Sequence, residues 1–222
     1  MKWPPQNLWR VAPTGKGFAY SEIDRDDANR AMGVNRFDVV GSGVLYASTE
    51  LEGCYREVLA RMRPARGMAD LDEDNANAFM TAGQVPLSWR ENRRRFAIAI
   101  DSALPFVDVE QQATWNAIEA TPGALPPFDP MKDDGRLDIA AVRGGDRRLT
   151  LRIARWAFDE ASLDGAPRYA GIRYMSRTGS FECWAIFKRP SVQVVEVRPP
   201  GEIDLSDSAF RKVCEAFELT PH

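Results

Sequence analysis

The sequence has almost no histidine: the only one is His222, the last residue. Chain ends are commonly frayed, so this imidazole is poorly placed for catalysis. Its position argues against a Ser-His-Asp or Cys-His nucleophilic centre, and it removes the commonest ligand of a catalytic zinc. Chemistry in this chain must therefore use carboxylates, hydroxyls and arginines.

Cysteine is also scarce. The three cysteines, Cys54, Cys183 and Cys214, are widely spaced and form no CxxC pair, and we expect no secretory leader before Trp3. This pattern is typical of a reducing compartment, so we expect a cytoplasmic protein. No base accompanies Cys54 or Cys183 in the sequence, and we expect both to be buried structural thiols.

Long apolar runs and an excess of one charge are absent too. The run FAIAI is the length of a strand, whereas a bilayer crossing needs roughly 20 apolar residues. Charged residues make up 27% of the chain, yet the formal net charge is only −3. We therefore predict no membrane segment and no direct nucleic-acid partner. With 222 residues, 44% of them hydrophobic, the chain predicts a single domain over residues 1–222.

Apolar runs and helical periodicity predict mixed secondary structure. Strands are expected at residues 8–12, 44–48, 96–100, 106–109, 169–175, 181–187 and 192–197. Helices are expected at residues 22–31, 49–63, 71–80, 111–120, 149–161 and 206–217. Ser48 or Thr49 is the expected cap of the second helix. Strands and helices do not alternate regularly, so we predict an α+β fold, with an expanded middle region at about 64–135.

Neither of two other patterns favours a ligand site. The glycines of Gly41-Ser42-Gly43 begin like a dinucleotide fingerprint, but Tyr46 stands at the third glycine position and a strand follows. Five arginines between Arg143 and Arg155 could bind phosphate. Because acidic residues flank them, a solvated surface of mixed charge is the favoured interpretation.

Several short segments share a pattern with a known family. NRFD is followed by LYAS and YREVL, and later by GIRYMS and CWAIF. Together these segments resemble the RES domain family, from about Leu8 to Val197. Members of that family are bacterial proteins commonly encoded as toxins beside an antitoxin with a Xre-like helix-turn-helix.

The resemblance places four family residues on this chain. They are Arg36, Tyr46, Glu57 and Ser176. Two positions depart from the family pattern, since Asn35 stands where glycine is usual and Asp38 where asparagine is usual. These departures concern the loop that carries Arg36.

The resemblance also implies a fold and an activity. The expected fold is like that of ADP-ribosyltransferases, a split, twisted mixed sheet with flanking helices. The expected activity is cleavage of the nicotinamide–ribose bond of NAD, by hydrolysis or by phosphorolysis with inorganic phosphate. NAD is then the substrate, no further cofactor or metal is expected, and a Xre-like antitoxin is the expected partner.

The implied roles suit the chemistry of these side chains. Glu57 would stabilise an oxocarbenium cation, Arg36 would hold the pyrophosphate, Tyr46 would stack on nicotinamide, and Ser176 would bind ribose or the carboxamide. Arg10 and Arg173 form a second rank, because a cation on a predicted strand needs a cleft or a carboxylate. Taken singly, each of these residues also has an ordinary structural explanation.

Two alternatives remain open at this stage. The protein could transfer ADP-ribose to a macromolecule, or it could be a non-catalytic binding module that retains the fold. A homo-oligomer is equally open, because exposed-looking aromatics such as Trp3 are as often core as interface.

Overall fold

A computed structural model describes residues 1–30, 34–64, 83–125 and 136–222. Ten strands lie in this part of the chain: β1 Leu8–Pro13, β2 Ser21–Glu22, β3 Gly43–Ser48, β4 Gln84–Val85, β5 Arg93–Ser102, β6 Phe106–Asp108, β7 Gly171–Met175, β8 Glu182–Phe187, β9 Val192–Gly201 and β10 Thr220–Pro221. It also contains seven α-helices: α1 Arg25–Arg30, α2 Leu51–Leu59, α3 Leu87–Glu91, α4 Gln112–Glu119, α5 Ile139–Arg143, α6 Arg147–Asp159 and α7 Ser208–Phe217. A 3-10 turn, Ala60–Met62, continues α2.

The main sheet has the strand order β6-β7-β8-β3-β1-β5-β9, and β2 pairs with β3 beside this path. β6 and β7 run parallel, whereas the other pairings in this sheet are antiparallel. β4 and β10 form a separate parallel pair. The sheet is therefore mixed, and the α+β class predicted from the sequence is confirmed.

Pairing register decides which side chains share a face of the sheet. Tyr46 on β3 lies opposite Ala185 on β8, which lies opposite Ile172 on β7. Directly opposed residues point to the same side, and side chains alternate along each strand. Tyr46 and Tyr174 consequently project from one face, which we call the helical face, whereas Arg10 and Arg173 project from the other.

Apolar side chains divide into three buried clusters. On the helical face, one cluster joins the sheet to α4, α5 and α6, and includes Trp115, Val142 and Ile153. A second joins α2, α3 and α7 to β1 and includes Tyr55 and Phe210. The third covers the opposite face, around Trp184, Phe96 and Leu8.

Helix α2 is amphipathic because its apolar residues recur at helical spacing. Its buried residues are Gly53, Cys54, Tyr55 and Leu59, and Glu57 is exposed on the other side. Gly53 lets the helix approach the sheet closely, since a Cβ there would lie 2.5 Å from Ser48 Oγ and 2.9 Å from Phe181 Cβ. This contact fixes the height of α2, and so of Glu57, over the sheet.

Most predicted elements are present, with shifted ends. β5 and β9 are longer than expected, and α3, α5, β2, β4 and β10 were not predicted. The helix expected at residues 71–80 lies outside the described residues. The C-terminal helix expected at 206–217 is α7.

The expected capping of α2 by Ser48 or Thr49 is wrong. The N-cap is Glu50, and no side chain makes a capping hydrogen bond there. Ser48 and Thr49 instead donate to the carbonyl oxygen of Glu182, at 2.9 and 3.1 Å. The two hydroxyls therefore bind a carbonyl oxygen on β8 and are not available to cap the helix.

In the part of the chain that the structure describes, no helix is both long and apolar enough to cross a membrane.

Candidate active site

Arg36 lies in the loop before β3 and is 6% exposed. Its Nη1 donates to the carbonyl oxygen of Met175 at 3.1 Å, and its Nη2 donates to that of Val142. The guanidinium carbon sits 5.1 Å from the ring centre of Phe37 and 5.2 Å from that of Tyr174. Arg36 therefore joins the end of β7 to the end of α5, and burial lowers its pKa.

Tyr46 is half-buried on β3, and its hydroxyl belongs to the loop that carries Arg36. It donates to Asp38 Oδ1 at 2.8 Å and accepts from the backbone N–H of Phe37 at 3.1 Å. Burial, followed by the Asp38 carboxylate, raises the pKa of Tyr46 well above its ordinary value. The phenol is therefore neutral at physiological pH, and its orientation is fixed by Asp38.

Asp38 is 1% exposed and organises this loop. Its Oδ2 accepts from the backbone N–H of Asn35 at 2.8 Å, from Asn35 Nδ2 at 3.2 Å and from Ser21 Oγ at 3.2 Å. The two departures from the family pattern are thus in direct contact. Asn35 supplies donors, and Asp38 supplies the acceptor that they need.

Glu57 reaches the site from the exposed side of α2. Its Oε1 accepts a hydrogen bond from Ser176 Oγ at 2.6 Å, although Ser176 itself is only 4% exposed. Thr178 supports the serine, because its backbone N–H donates to Ser176 Oγ at 3.1 Å and its hydroxyl lies 2.9 Å away. A buried hydroxyl thus orients a carboxylate whose far side faces solvent.

Tyr174 is the common neighbour of these residues. Its pKa is raised well above the ordinary value by burial, then by Cys183, Glu57 and Tyr46, while Arg36 opposes the shift. Arg36 packs 5.2 Å from the ring centre of Tyr174, and Ser176, two residues further along, holds Glu57, so the guanidinium and the carboxylate lie on the same side of the sheet. The structure therefore brings Arg36, Tyr46, Glu57 and Ser176 together, and their catalytic and binding roles stay predictions.

Arg10 and Arg173 do not join this group, because they project from the opposite face of the sheet. Arg10 donates to the carbonyl oxygens of Tyr46, at 2.8 Å, and Ala19, at 3.1 Å. Arg173 pairs with Glu182 at 2.6 Å and with Asp108 at 3.2 Å. Both cations have internal partners in the fold, and their expected contacts with phosphate stay predictions.

A large pocket among the described residues lies away from Glu57. A pocket of about 750 Å³ lies at the other end of β3 and β8, lined by Gly41, Ser42 and Lys188 among others. In the described ranges, no group of three or more histidine, cysteine, aspartate or glutamate residues is arranged to hold a metal ion. All three cysteines are buried free thiols.

Two residues of the site were not singled out from the sequence. Asp38 was noted only as a departure from the family pattern, and Arg147 was grouped with surface arginines. In the structure the charge of Arg147 acts on the Tyr46 phenol, from the first position of α6. No local pattern could have distinguished Arg147 from its neighbour Arg148, since burial decides between them.

The fold and the site define an α+β protein with one oriented carboxylate and a buried arginine beside a tyrosine, arranged on the helical face of a mixed sheet. The RES domain family profile matches residues 7–206. The chain therefore belongs to the RES domain family, which confirms the resemblance drawn from the sequence.

Other comparisons are less informative. A chain from the crystal structure of the M. tuberculosis MbcT-MbcA toxin-antitoxin complex is similar, with a TM-score of 0.49 and 13% sequence identity. The similarity covers 97% of this chain and 91% of that one. No curated protein matches the sequence.

Proposed function

We propose that this protein is a toxin that cleaves the nicotinamide–ribose bond of NAD. Membership of the RES domain family supports the proposal, because proteins of this family are associated with NAD cleavage in toxin–antitoxin systems. The observation that carries it is the Glu57 carboxylate, held by Ser176 at 2.6 Å on the same side of the sheet as Arg36 and Tyr46. Its exposed side is free to face a sugar.

The reaction suits a site without histidine. The nicotinamide nitrogen is cationic in NAD, so nicotinamide leaves as a neutral molecule and needs no proton from the protein. A glycosidase acting on an ordinary sugar needs a carboxylic acid for the leaving oxygen as well as a second carboxylate. Here one carboxylate suffices, and its task is to stabilise the positive charge that develops on the ribose.

Each residue then has a role that follows from its contacts. Glu57 faces the ribose, and Ser176 holds the carboxylate in place through the hydrogen bond that it donates. Tyr46 offers a half-buried ring on which nicotinamide can stack, while Asp38 keeps its hydroxyl engaged. Arg36 contributes positive charge and uses two of its five N–H donors on carbonyl oxygens. Water or phosphate attacks the ribose to complete the cleavage.

Chromatography of NAD incubated with the purified protein tests the proposal. We expect the wild type to release nicotinamide, and Glu57→Gln to lose at least about 100-fold in rate, because electrostatic stabilisation by one aligned group is commonly of that size. Ser176→Ala should lose less, about tenfold, because the carboxylate remains but is no longer oriented.

The matched control is Glu50→Gln. It removes the same charge from an exposed position at the start of the same helix, where the side chain makes no capping hydrogen bond. Intact NAD in the wild-type reaction, with and without phosphate, would sink the proposal. Equal rates for wild type and Glu57→Gln would remove Glu57 from the mechanism.

The products separate the possible reactions. Free ADP-ribose indicates hydrolysis, and a phosphorylated ADP-ribose that forms only with added phosphate indicates phosphorolysis. Label transferred from NAD to lysate proteins indicates ADP-ribosyl transfer instead. Binding of NAD without turnover would favour the non-catalytic module.

An antitoxin belongs to the same proposal. A cytoplasmic enzyme that depletes NAD would harm its own host, so a neutralising partner of the Xre-like type is expected from the family. Co-expression with the product of the adjacent gene should restore growth and yield a co-purifying complex. Growth that stays inhibited, with no complex recovered, would contradict this part.

A further inference from the structure

Arg36 leaves part of the substrate unaccounted for. NAD carries two phosphate groups, whereas the terminal nitrogens of Arg36 already bind the carbonyl oxygens of Met175 and Val142. Arg36 is also buried, with only 6% of its surface exposed. A substrate with a pyrophosphate needs further cations beside this site.

Arg147 is a half-buried cation without a partner. It is the first residue of α6, and no hydrogen bond or ion pair of its side chain occurs among the described residues. Its Nη1 is buried and unpartnered. A guanidinium in such a place is costly unless something neutralises it. Helix α6 shares a buried cluster with Tyr174, against which Tyr46 packs, and the Arg147 charge acts on the Tyr46 phenol, so Arg147 lies beside the candidate active site.

Arg177 approaches the same place from the turn after β7, where it is exposed. It directly follows Ser176, and its side chain has no hydrogen bond or ion pair within the described ranges. A Cβ added to Gly145, two residues before Arg147, would lie 3.8 Å from Arg177 Nη2. Its charge also acts on Arg36. Three guanidinium groups thus surround one short connection between α5 and α6.

Among the arginines of α2, α5 and α6, only Arg147 and Arg148 have no partner within the described residues. Other arginines of α2, α5 and α6 are engaged: Arg56 with Glu52, Arg143 with Glu110, Arg152 with the Gly123 and Leu125 carbonyl oxygens, and Arg155 with Asp159. Arg148 is exposed and solvated. Arg147 is the one in this helix that combines burial with no partner among the described residues.

Nearby carboxylates are already committed elsewhere. Glu110 accepts from Arg143 and from the backbone N–H of Met175. Asp146 caps α6 by accepting from the backbone N–H groups of Arg148 and Leu149. Glu57 is bound by Ser176. Among the described residues, no carboxylate pairs with Arg147 or Arg177, which leaves their positive charge for an added anion.

We infer that Arg147 and Arg177 form an anion site beside Tyr46 and Ser176 that binds a phosphate group. The inference rests on the proposed function for its substrate, because the phosphate belongs either to the pyrophosphate of NAD or to a free phosphate ion that attacks the ribose. Guanidinium groups match phosphate oxygens with paired, charge-assisted hydrogen bonds.

Kinetics separates the two sources. If the site holds the pyrophosphate, Arg147→Gln and Arg177→Gln each raise KM for NAD about tenfold with little change in kcat, since a charge-assisted hydrogen bond is worth roughly that factor. If it holds free phosphate, the same variants raise KM for phosphate about tenfold, and KM for NAD stays near its wild-type value.

The matched controls are Arg148→Gln, on the exposed side of the same helix, and Arg211→Gln, exposed on α7. Each removes the same charge without touching the site, so each should behave as the wild type. Urea unfolding of all four variants checks that they are folded. Wild-type kinetics in Arg147→Gln and Arg177→Gln, and in the double variant, would overturn the inference.

A binding measurement makes the inference independent of NAD cleavage. Calorimetric titration with inorganic pyrophosphate, and separately with inorganic phosphate, should show binding to the wild type and to both controls. The double variant Arg147→Gln/Arg177→Gln should bind at least about tenfold more weakly. If the anions bind in an arginine-dependent way but the wild type leaves NAD intact, the anion site is supported and the proposed reaction is refuted. If the wild type cleaves NAD but the double variant binds the anions as tightly as the wild type, the reaction is supported and the anion site is refuted.

Discussion

Asp38 shows how one buried carboxylate can organise a loop. Its two oxygens receive hydrogen bonds from the backbone and side-chain amides of Asn35, the hydroxyl of Ser21 and the hydroxyl of Tyr46. Every one of these groups is a donor. An asparagine at position 38, as is usual in the family, would place its NH₂ group against these donors. One of them, the side-chain amide of Asn35, is present because asparagine replaces the usual glycine there.

We therefore predict that Asp38→Asn lowers the free energy of unfolding by about 1–3 kcal/mol, the range for leaving buried polar groups unsatisfied. Urea unfolding monitored by tryptophan fluorescence measures the change. Asp101→Asn, at an exposed position of β5, is the control and should leave the midpoint unchanged. Superimposable curves for Asp38→Asn and wild type would show that the loop does not depend on the carboxylate.

The family pattern was sufficient to predict Arg36, Tyr46, Glu57 and Ser176 as neighbours, although they are scattered through the sequence. It did not predict their mutual contacts. Ser176 was expected to bind ribose or the carboxamide, yet its hydroxyl bonds Glu57. Arg173 carried no local sign that its partners would be Glu182 and Asp108, because the face on which a strand residue lies depends on pairing register.

Helix α2 acts at the scale of an element, since it sets the position of Glu57 relative to Ser176. Two features hold it to the sheet: the close approach at Gly53, and Arg56, whose Nη1 donates to the Thr178 carbonyl oxygen at 3.0 Å. The periodicity of the sequence predicted the helix and its exposed glutamate. It could not predict how closely Gly53 approaches the sheet, because that distance depends on Ser48 and Phe181, which lie far from each other in the sequence.

Gly53→Ala should push α2 away from the sheet, because its new Cβ would lie 2.5 Å from Ser48 Oγ. We expect a loss of about 1–3 kcal/mol in unfolding free energy from overpacking, offset in part by the better helix propensity of alanine. NAD cleavage should fall as well, because Glu57 moves relative to Ser176. Urea unfolding and nicotinamide release measure the two effects.

Glu50→Ala provides the comparison, since it places alanine in an exposed position at the start of the same helix. Both its stability and its rate should stay near wild type. If Gly53→Ala leaves stability and cleavage unaltered, the helix does not depend on this close contact.

At the scale of the whole molecule, the three thiols are all enclosed. Burial raises the pKa of Cys183 to about 12 and that of Cys214 to about 11, from an ordinary value of 9.0. In the unfolded chain these thiols ionise near their ordinary value, whereas in the folded protein they keep their protons to higher pH. Above pH 9 the folded state therefore binds more protons than the unfolded state.

The free energy of unfolding should consequently be unaffected by the thiols below their ordinary pKa and should fall as the pH rises toward the folded values. Buried Tyr46 and Tyr174, whose pKa values are also raised, act in the same direction at still higher pH. Urea unfolding at about pH 8 and about pH 10 measures the change. Replacing Cys183 and Cys214 by alanine should reduce this dependence, and an equal dependence without them would contradict the assignment.

The hydrogen bond between Ser176 and Glu57 links residues 119 positions apart, and it joins α2 to the end of β7. Ser176 cannot orient Glu57 until both residues are part of the folded sheet and helix. During translation the first of the two leaves the ribosome long before the second. A growing polypeptide therefore lacks the oriented carboxylate until synthesis has passed β8, the strand that pairs with both β3 and β7.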